Sequence, residues 1–219
     1  MPPIIGILGG TGQLGSGLAL RLGQAGYTVI IGSRSKDNAE KAVEKLKSEN
    51  PGNELNLSGM DNKAAAGKAD LIILTVHFEV LVDLLGQLKS DTAGKIVVST
   101  INPLTFAGGK AGLVPVEANS VAELVQQHLP DARVTAAFNT VSAVLLSDPL
   151  KPLDEDILVA GDDKAARGEV AALASAITGL KGVEAGPLRN AKILEEMIVL
   201  IISLNRLHKT QTGFRVTGI

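Results

Sequence analysis

Residues 6–34 read GILGGTGQLGSGLALRLGQAGYTVIIGSR, and this stretch decides the fold. It grows out of Ile4 to Leu8, a short run suited to a buried strand, and passes at once into glycines. From Leu14 to Ala25 the residues Leu14, Leu18 and Leu22 recur on one helix face, and Gly26 stops the pattern. Thr28 to Ile31 is a second strand. A strand, a glycine turn, a helix and a strand in thirty residues make a βαβ unit. Within the turn, Gly10-Thr11-Gly12-Gln13-Leu14-Gly15 fits G-x-G-x-x-G. At that place in a βαβ unit each glycine has a physical role. Gly10 allows the tight turn, Gly12 lets backbone approach a pyrophosphate closely, and Gly15 lets helix pack on strand. The unpaired N–H groups and dipole of the helix start then stabilise the diphosphate.

Outward from this unit the alternation continues. Asp37 to Ser48 is an amphipathic helix with Ala39, Val43 and Leu46 inward, and Asn50-Pro51-Gly52-Asn53 breaks the chain. Leu71 to Val76 is a strand, Phe78 to Leu88 a helix, Lys95 to Thr100 a strand. Asn102 to Pro115 reads as a long mobile loop, followed by a helix over Ser120 to His128 and a strand over Ala132 to Phe138. Successive βα units predict an α/β protein: a Rossmann doubly wound, mostly parallel sheet over residues 1–140. Residues 141–219 are expected to form a small α+β C-terminal domain. It has a strand at Ile157 to Ala160, an Ala-rich helix at Asp163 to Ile177, a strand near Val183 to Ala185 and a helix from Pro187 to Leu207. The middle of that last helix, MIVLII, is apolar on every side, which predicts burial against the sheet and a symmetry mate, hence a homodimer.

Composition narrows the function classes. With 45% apolar and 20% charged residues among 219, the chain is globular, and 2% aromatics leave an aliphatic core. Few rings and a net charge of −2 argue against nucleic acid and against an anionic membrane. There is no cysteine, and the three histidines, His77, His128 and His208, lack metal-ligand spacing, so no metal is expected. Without a basic n-region, an apolar h-region or a membrane-length apolar run, the expectation is a cytoplasmic protein acting on small molecules.

The end of the second strand selects the nucleotide. An NAD site usually presents an acid there to the ribose 2′-hydroxyl, whereas this chain has Ile31-Gly32-Ser33-Arg34. Arg34 offers a planar fork and Ser33 a hydroxyl to a 2′-phosphate, and Lys36 adds a cation, so NADP(H) is expected. The short-chain dehydrogenase pair of Tyr and Lys four apart is missing: the one tyrosine, Tyr27, is followed four on by Ile31. No other acid–base pair stands out, and no catalytic residue is assigned. Hydride transfer between two redox coenzymes needs none, because each ring supplies its own carbon and the protein supplies alignment and exclusion of water. A nucleotide-binding module without turnover is the reading from another class.

The 6–34 stretch, together with AFNTVSA (137–143), GDD (161–163) and AGPLRNAKILEE (185–196), resembles the NADPH-dependent reductases of the 8-hydroxy-5-deazaflavin coenzyme F420. The resemblance implies a small homodimer that moves a hydride between NADP(H) and coenzyme F420. It places the pyrophosphate on Thr11 to Leu14 and the 2′-phosphate on Ser33 and Arg34. It sets Val76, Phe78 and Val80 beside the adenosine and ribose, and Asn139, Val141 and Ala143 under the meeting of the nicotinamide and deazaflavin rings, with Asn139 positioning the ring. AFNTVSA is also similar to relatives that reduce ordinary flavins, so FMN or FAD stays open as the acceptor.

Overall fold

The computed structural model describes residues 2–219. The quoted stretch forms β1 (Ile5–Leu8), α1 (Gln13–Gln24) and β2 (Val29–Ser33), followed by α2 (Lys36–Glu49). β1 lies parallel between β2 and β4 (Leu71–Leu74), with Ile5 level with both Val29 and Leu71. Beyond them come β3 (Leu57–Asp61) next to β2, and on the other side β5 (Ile96–Ser99) next to β4 and β8 (Arg133–Ala136) next to β5. Because β2 and β4 leave β1 on opposite sides, the sheet has its topological switch point between β1 and β4. That is where open α/β sheets bind ligands.

Side chains of the central strands go alternately to two buried layers. Ile5, Ile7 and Ile73 join α1 and α2 on one face; Leu8, Ile72 and Leu74 join the other, which is covered by α4 (Leu81–Gly86) and α6 (Val121–His128). This double cover explains strands that are apolar without alternation.

The rest of the chain extends the same sheet. β9 (Glu155–Gly161) runs antiparallel to β8, and β10 (Leu180–Glu184) pairs parallel with β9, giving eight strands in the order β10-β9-β8-β5-β4-β1-β2-β3. The helices between are α7 (Ala143–Ser147) and α8 (Lys164–Ser175), and α9 (Ala191–His208) follows β10.

Three local features differ from the sequence expectation. Asn102 to Pro115 is a β-hairpin, β6 (Leu104–Ala107) and β7 (Lys110–Leu113), turned by Gly108 and Gly109 at φ 56° and 72°. Both values suit a tight two-residue hairpin turn, and only glycine adopts them cheaply. The single helix expected at Phe78 to Leu88 is a 3₁₀ turn over Phe78–Val80 followed by α4 and a short α5 (Lys89–Thr92). β3 and α3 (Asn62–Lys68) stand where periodicity shows no element. Within the chain α9 is half covered: Leu194, Glu195 and Ile201 are buried, while Ile193, Leu200 and Leu207 are 59%, 52% and 72% exposed.

Candidate functional site

The glycine turn works as the motif requires, with one reassignment. The left-handed residue is Gly9 (φ 78°), so the sharp turn is made one position before Gly10. Gly10 is needed for closeness instead: a Cβ there would sit 2.8 Å from the Ile7 carbonyl oxygen. Its N–H donates to Gly32 O (2.9 Å), tying the turn to the end of β2. A Cβ on Gly15 would meet Gly10 Cα at 2.6 Å and Thr75 Oγ1 at 2.7 Å, the close helix–strand packing expected of it. A Cβ on Gly12 would meet only Gly9 O, at 3.6 Å, so the backbone there is open to a ligand.

α1 starts bare straight from an extended residue, Gly12, whereas α4, α5 and α9, which also lack a side-chain cap, follow residues already in or near helical conformation. α2, α3, α6, α7 and α8 each begin with a side-chain oxygen accepting a backbone N–H, from Ser35, Asp61, Ser120, Ser142 and Asp163 in turn. α1 begins at Gly12 with no side-chain cap and no acid in its first turn. The first intrahelical bond is Ser16 N–H to Gly12 O (2.8 Å), so the amides of the first turn are left for an anion. Thr11, Gly12 and Gln13 are exposed, and Leu14 is half-buried.

Two residues that sequence reasoning missed hold this turn. The Gly9 N–H donates to Asn62 Oδ1 (3.2 Å), and Thr75 Oγ1 donates to Leu8 O (3.0 Å). Asn62 opens α3, the helix that periodicity does not reveal. At the end of β2, Ser33 is buried and Arg34 exposed. Lys36 is engaged along α2 with Glu40 (3.4 Å), so it does not stand free beside Arg34. Asp61, level with Ser33 on β3, brings a carboxylate nearby, but its Oδ1 accepts from Ala64 N–H (2.8 Å). Across the switch point Val76 touches the turn, its Cγ1 only 2.7 Å from where a Gly9 Cβ would lie. Val76 and Phe78 are half-buried; Val80 is exposed.

The opposite wall rises from β8. Phe138 is a buried non-glycine residue at φ 61°, a conformation that costs on the order of 1–3 kcal/mol and is held by its packing. The next residue, Asn139, is 5% exposed. Its amide donates to Asn102 Oδ1 (3.2 Å), and Asn102 donates back to Asn139 O (2.7 Å). Asn139 Oδ1 has no partner, an orphaned acceptor in a small cavity walled by Phe138, Thr140, Leu158, Leu194 and Met197. Val141 is buried, and Ala143 starts α7, which packs on α1. The Ser147 hydroxyl of α7 donates to Gln13 O (3.3 Å), so this wall and the glycine turn are joined directly.

Buried charges brace the second wall. Arg21, 9% exposed, donates to the carbonyls of Leu145, Leu146, Asp148 and Lys151 at 2.6–3.1 Å. Burial lowers its pKa, against the attraction of Asp148. Arg21 lies about 60° round α1 from the Leu14–Leu18–Leu22 stripe, a place where a cation signals a buried partner. Glu195 of α9 accepts from Val121 N–H (2.8 Å) and Ala122 N–H (3.0 Å) at the start of α6. Burial pushes its carboxyl up to about 7, opposed by those N–H groups and aided by Glu123 and Glu196. Glu155, under Ser142 and the C-terminal strap, is likewise raised by burial to about 7. The strap itself lies along β9, with Asp156 N–H donating to Phe214 O (2.8 Å) and Val216 N–H to Asp156 Oδ2 (2.8 Å).

Among the described residues no group of three or more His, Asp or Glu is placed to hold a metal, and no helix is long and apolar enough to cross a membrane. Residues 4–103 match the family described as NADP oxidoreductase coenzyme F420-dependent. The F420-dependent NADP reductase of Methanocaldococcus jannaschii is 41% identical over 98% of each chain, and that of Methanothermobacter marburgensis 36% over 98% of each. The crystal structure of a putative F420-dependent NADP-reductase from Arthrobacter sp. FB24 superposes with a TM-score of 0.83 at 27% identity, covering 98% of this chain and 99% of that one. At that identity over nearly full length, the chain belongs to the family of F420-dependent NADP reductases.

Proposed function

We propose that this protein transfers a hydride between NADP(H) and coenzyme F420. The observation that carries the reading is the floor between the two walls: Phe138, Asn139, Thr140 and Val141 are buried and none is ionisable. Such a floor can align two rings and exclude water, but cannot shuttle a proton to a carbon substrate. When bound, the nicotinamide and the deazaflavin supply the hydride donor and acceptor carbons themselves. The protein's residues supply place. The first turn of α1, with Thr11 to Leu14, holds the diphosphate, and Ser33 and Arg34 hold the 2′-phosphate, while Lys36 stays paired with Glu40 on α2. Val76, Phe78 and Val80 border the ribose side. Asn139, held in place by Asn102, positions the ring, and Val141 and Ala143 complete the floor.

In this reading residues 1–140 bind the nucleotide, while 141–219 form the acceptor pocket and the contacts of a cytoplasmic homodimer. Ile193, Leu200 and Leu207 support the dimer: seven apart on α9, they make one exposed apolar line suited to a second helix. The test is to mix purified protein and NADPH with F420 or with FMN and follow the visible absorbance of each acceptor. Bleaching of the deazaflavin is expected. Bleaching of FMN alone would move the function to flavin reduction, and NADPH binding without any turnover would leave a nucleotide-binding module.

A further inference from the structure

Asn62 stands where the glycine turn and the end of β2 meet. Its Oδ1 accepts from Gly9 N–H (3.2 Å) and lies 2.8 Å from where a Cβ on Gly32 would be, so Gly32 leaves room for this side chain. Gly32 O in turn accepts from Gly10 N–H (2.9 Å). The turn that faces the diphosphate and the strand that ends in Ser33 are thus held against one amide. The helix that carries it, α3, packs on both β1 and β2.

This contact fixes which way the amide faces. A flipped Asn62 would set Nδ2 against Gly9 N–H, donor against donor, so Oδ1 must face the turn. Among the described residues the side chain makes no other hydrogen bond, and it is half-buried. Both N–H groups of Nδ2 are therefore left for a ligand, beside Ser33 and Arg34. Asp61 sets a carboxylate nearby, level with Ser33 and held to Ala64 N–H, and the Asn62 donors offset it for an incoming anion.

Two donors and no acceptor suit a group made of acceptors alone. The adenosine ribose must pass this crossing if its diphosphate lies on α1 and its 2′ position at the end of β2. A 2′-phosphate brings three acceptor oxygens and most of two negative charges near neutral pH. A 2′-hydroxyl has a proton of its own to give, which is why NAD sites meet it with an acid. We infer that Asn62 selects the nucleotide, its Nδ2 donating to the 2′-phosphate of NADP(H) alongside Ser33 and Arg34. The inference rests on the NADP(H) reading above and extends that site from β2 to α3. One side chain then serves both ends of the ribose: its oxygen shapes the diphosphate turn and its nitrogen reads the phosphate.

The test uses substitutions that a turn-holding residue and a phosphate-reading residue answer differently. Asn62→Asp keeps an oxygen for Gly9 N–H and puts a charged acceptor where Nδ2 stood, whereas Asn62→Ala removes both groups. Fluorescence titration is expected to show Asn62→Asp weakening NADPH by about 100-fold, a lost charge-assisted contact plus repulsion, with NADH changed by no more than about threefold. Asn62→Ala should weaken NADPH about tenfold more than NADH. A direct readout separates contact from the field of an added charge. In the isotope-labelled native protein, the Asn62 side-chain amide protons are assigned by their absence from the Asn62→Asp spectrum. They should shift with adenosine 2′,5′-bisphosphate and stay in place with adenosine 5′-monophosphate. Equal losses of NADPH and NADH overturn the inference, as does Asn62→Asp binding NADPH like the native protein. Amide protons that respond alike to the two probes overturn it too, and each of these results leaves Asn62 holding the turn alone. A native protein that binds NADPH no more tightly than NADH defeats the NADP(H) reading itself. One that prefers NADPH yet gives any of the overturning results defeats only the role of Asn62.

Discussion

The two walls of the site are built by different means. The proposed nucleotide wall is made of backbone: Gly9, Gly10 and Gly15 bring strand, turn and helix so close that the uncapped amides of α1 are left open beside Gly12. The acceptor wall is made of side chains that reach across the sequence: Arg21 to residues 145–151, Asn102 to Asn139, Glu195 to the start of α6, and the strap to β9. A wall of backbone is fixed by local geometry and tolerates nothing larger than hydrogen at its crossings. A wall of side chains is fixed by satisfying buried polar groups, and it fails where one partner is removed. The acceptor side is the part of such a fold that can be rebuilt for a different coenzyme.

Removing Arg21 should give the largest effect and break the second wall first. Arg21→Met leaves four carbonyls without their shared donor and costs about 3–5 kcal/mol of stability, measured by urea unfolding. In the folded fraction, KM for the acceptor should rise by more than Kd for NADPH. A rise confined to NADPH would show that the walls are not separable in this way. Gly15→Ala is the matching assault on the first wall. A methyl 2.6 Å from Gly10 Cα must push the turn off the helix, costing about 3 kcal/mol. Fluorescence titration should show NADPH binding lost well beyond any change in acceptor binding.

The same contrast decides what could be read in the sequence. The Rossmann class, NADP(H) as the cofactor and most strands were legible because glycine spacing, four-residue apolar recurrence and the missing acid after β2 are local signals. The hairpin was hidden behind its glycines, although Gly108-Gly109 between Phe106 and Ala111 is a turn signal in itself. β3 lies at the sheet edge with Leu57 its one fully buried residue and with Gly59 and Met60 half-buried, too short a pattern to see. Arg21, Asn62, Asn102 and Glu195 become meaningful only when partners 37 to 130 residues away are known. For α9, apolarity on every side was visible, but its exposed line at Ile193, Leu200 and Leu207 required the fold.

Nucleotide choice is a sharper probe of the first wall. Arg34 is exposed and makes no ion pair among the described residues, so Arg34→Ala should leave stability unchanged within error. It should weaken NADPH by roughly 10- to 100-fold, the loss of a charge-assisted contact worth about 1.5–3 kcal/mol, while NADH changes little. Isothermal titration with both nucleotides checks this, and equal losses would remove Arg34 from the 2′-phosphate.

The smallest effect is also the most specific to the second wall, because only that wall has carboxyls buried in its bracing. Glu195 and Glu155 ionise near 7 in the folded protein against 4.5 in an open chain. A carboxyl with its folded pKa raised binds its proton more tightly when folded. Its contribution to stability is therefore complete below pH 4.5 and is lost as pH rises through 7. Unfolding free energy should fall between about pH 4.5 and 7 by on the order of 1–3 kcal/mol per group and level off above. Glu195→Gln should remove its share of that slope, while at about pH 8 it costs about 1 kcal/mol, since an amide has one oxygen for two N–H donors. Urea unfolding at intervals from about pH 5 to about pH 8 separates these outcomes. If the variant keeps the native slope, Glu195 already ionises as an open-chain carboxyl and the two α6 N–H groups, not burial, govern it. The strain in the acceptor wall would then rest on Glu155 beneath the strap, and Glu155→Gln should carry the whole slope.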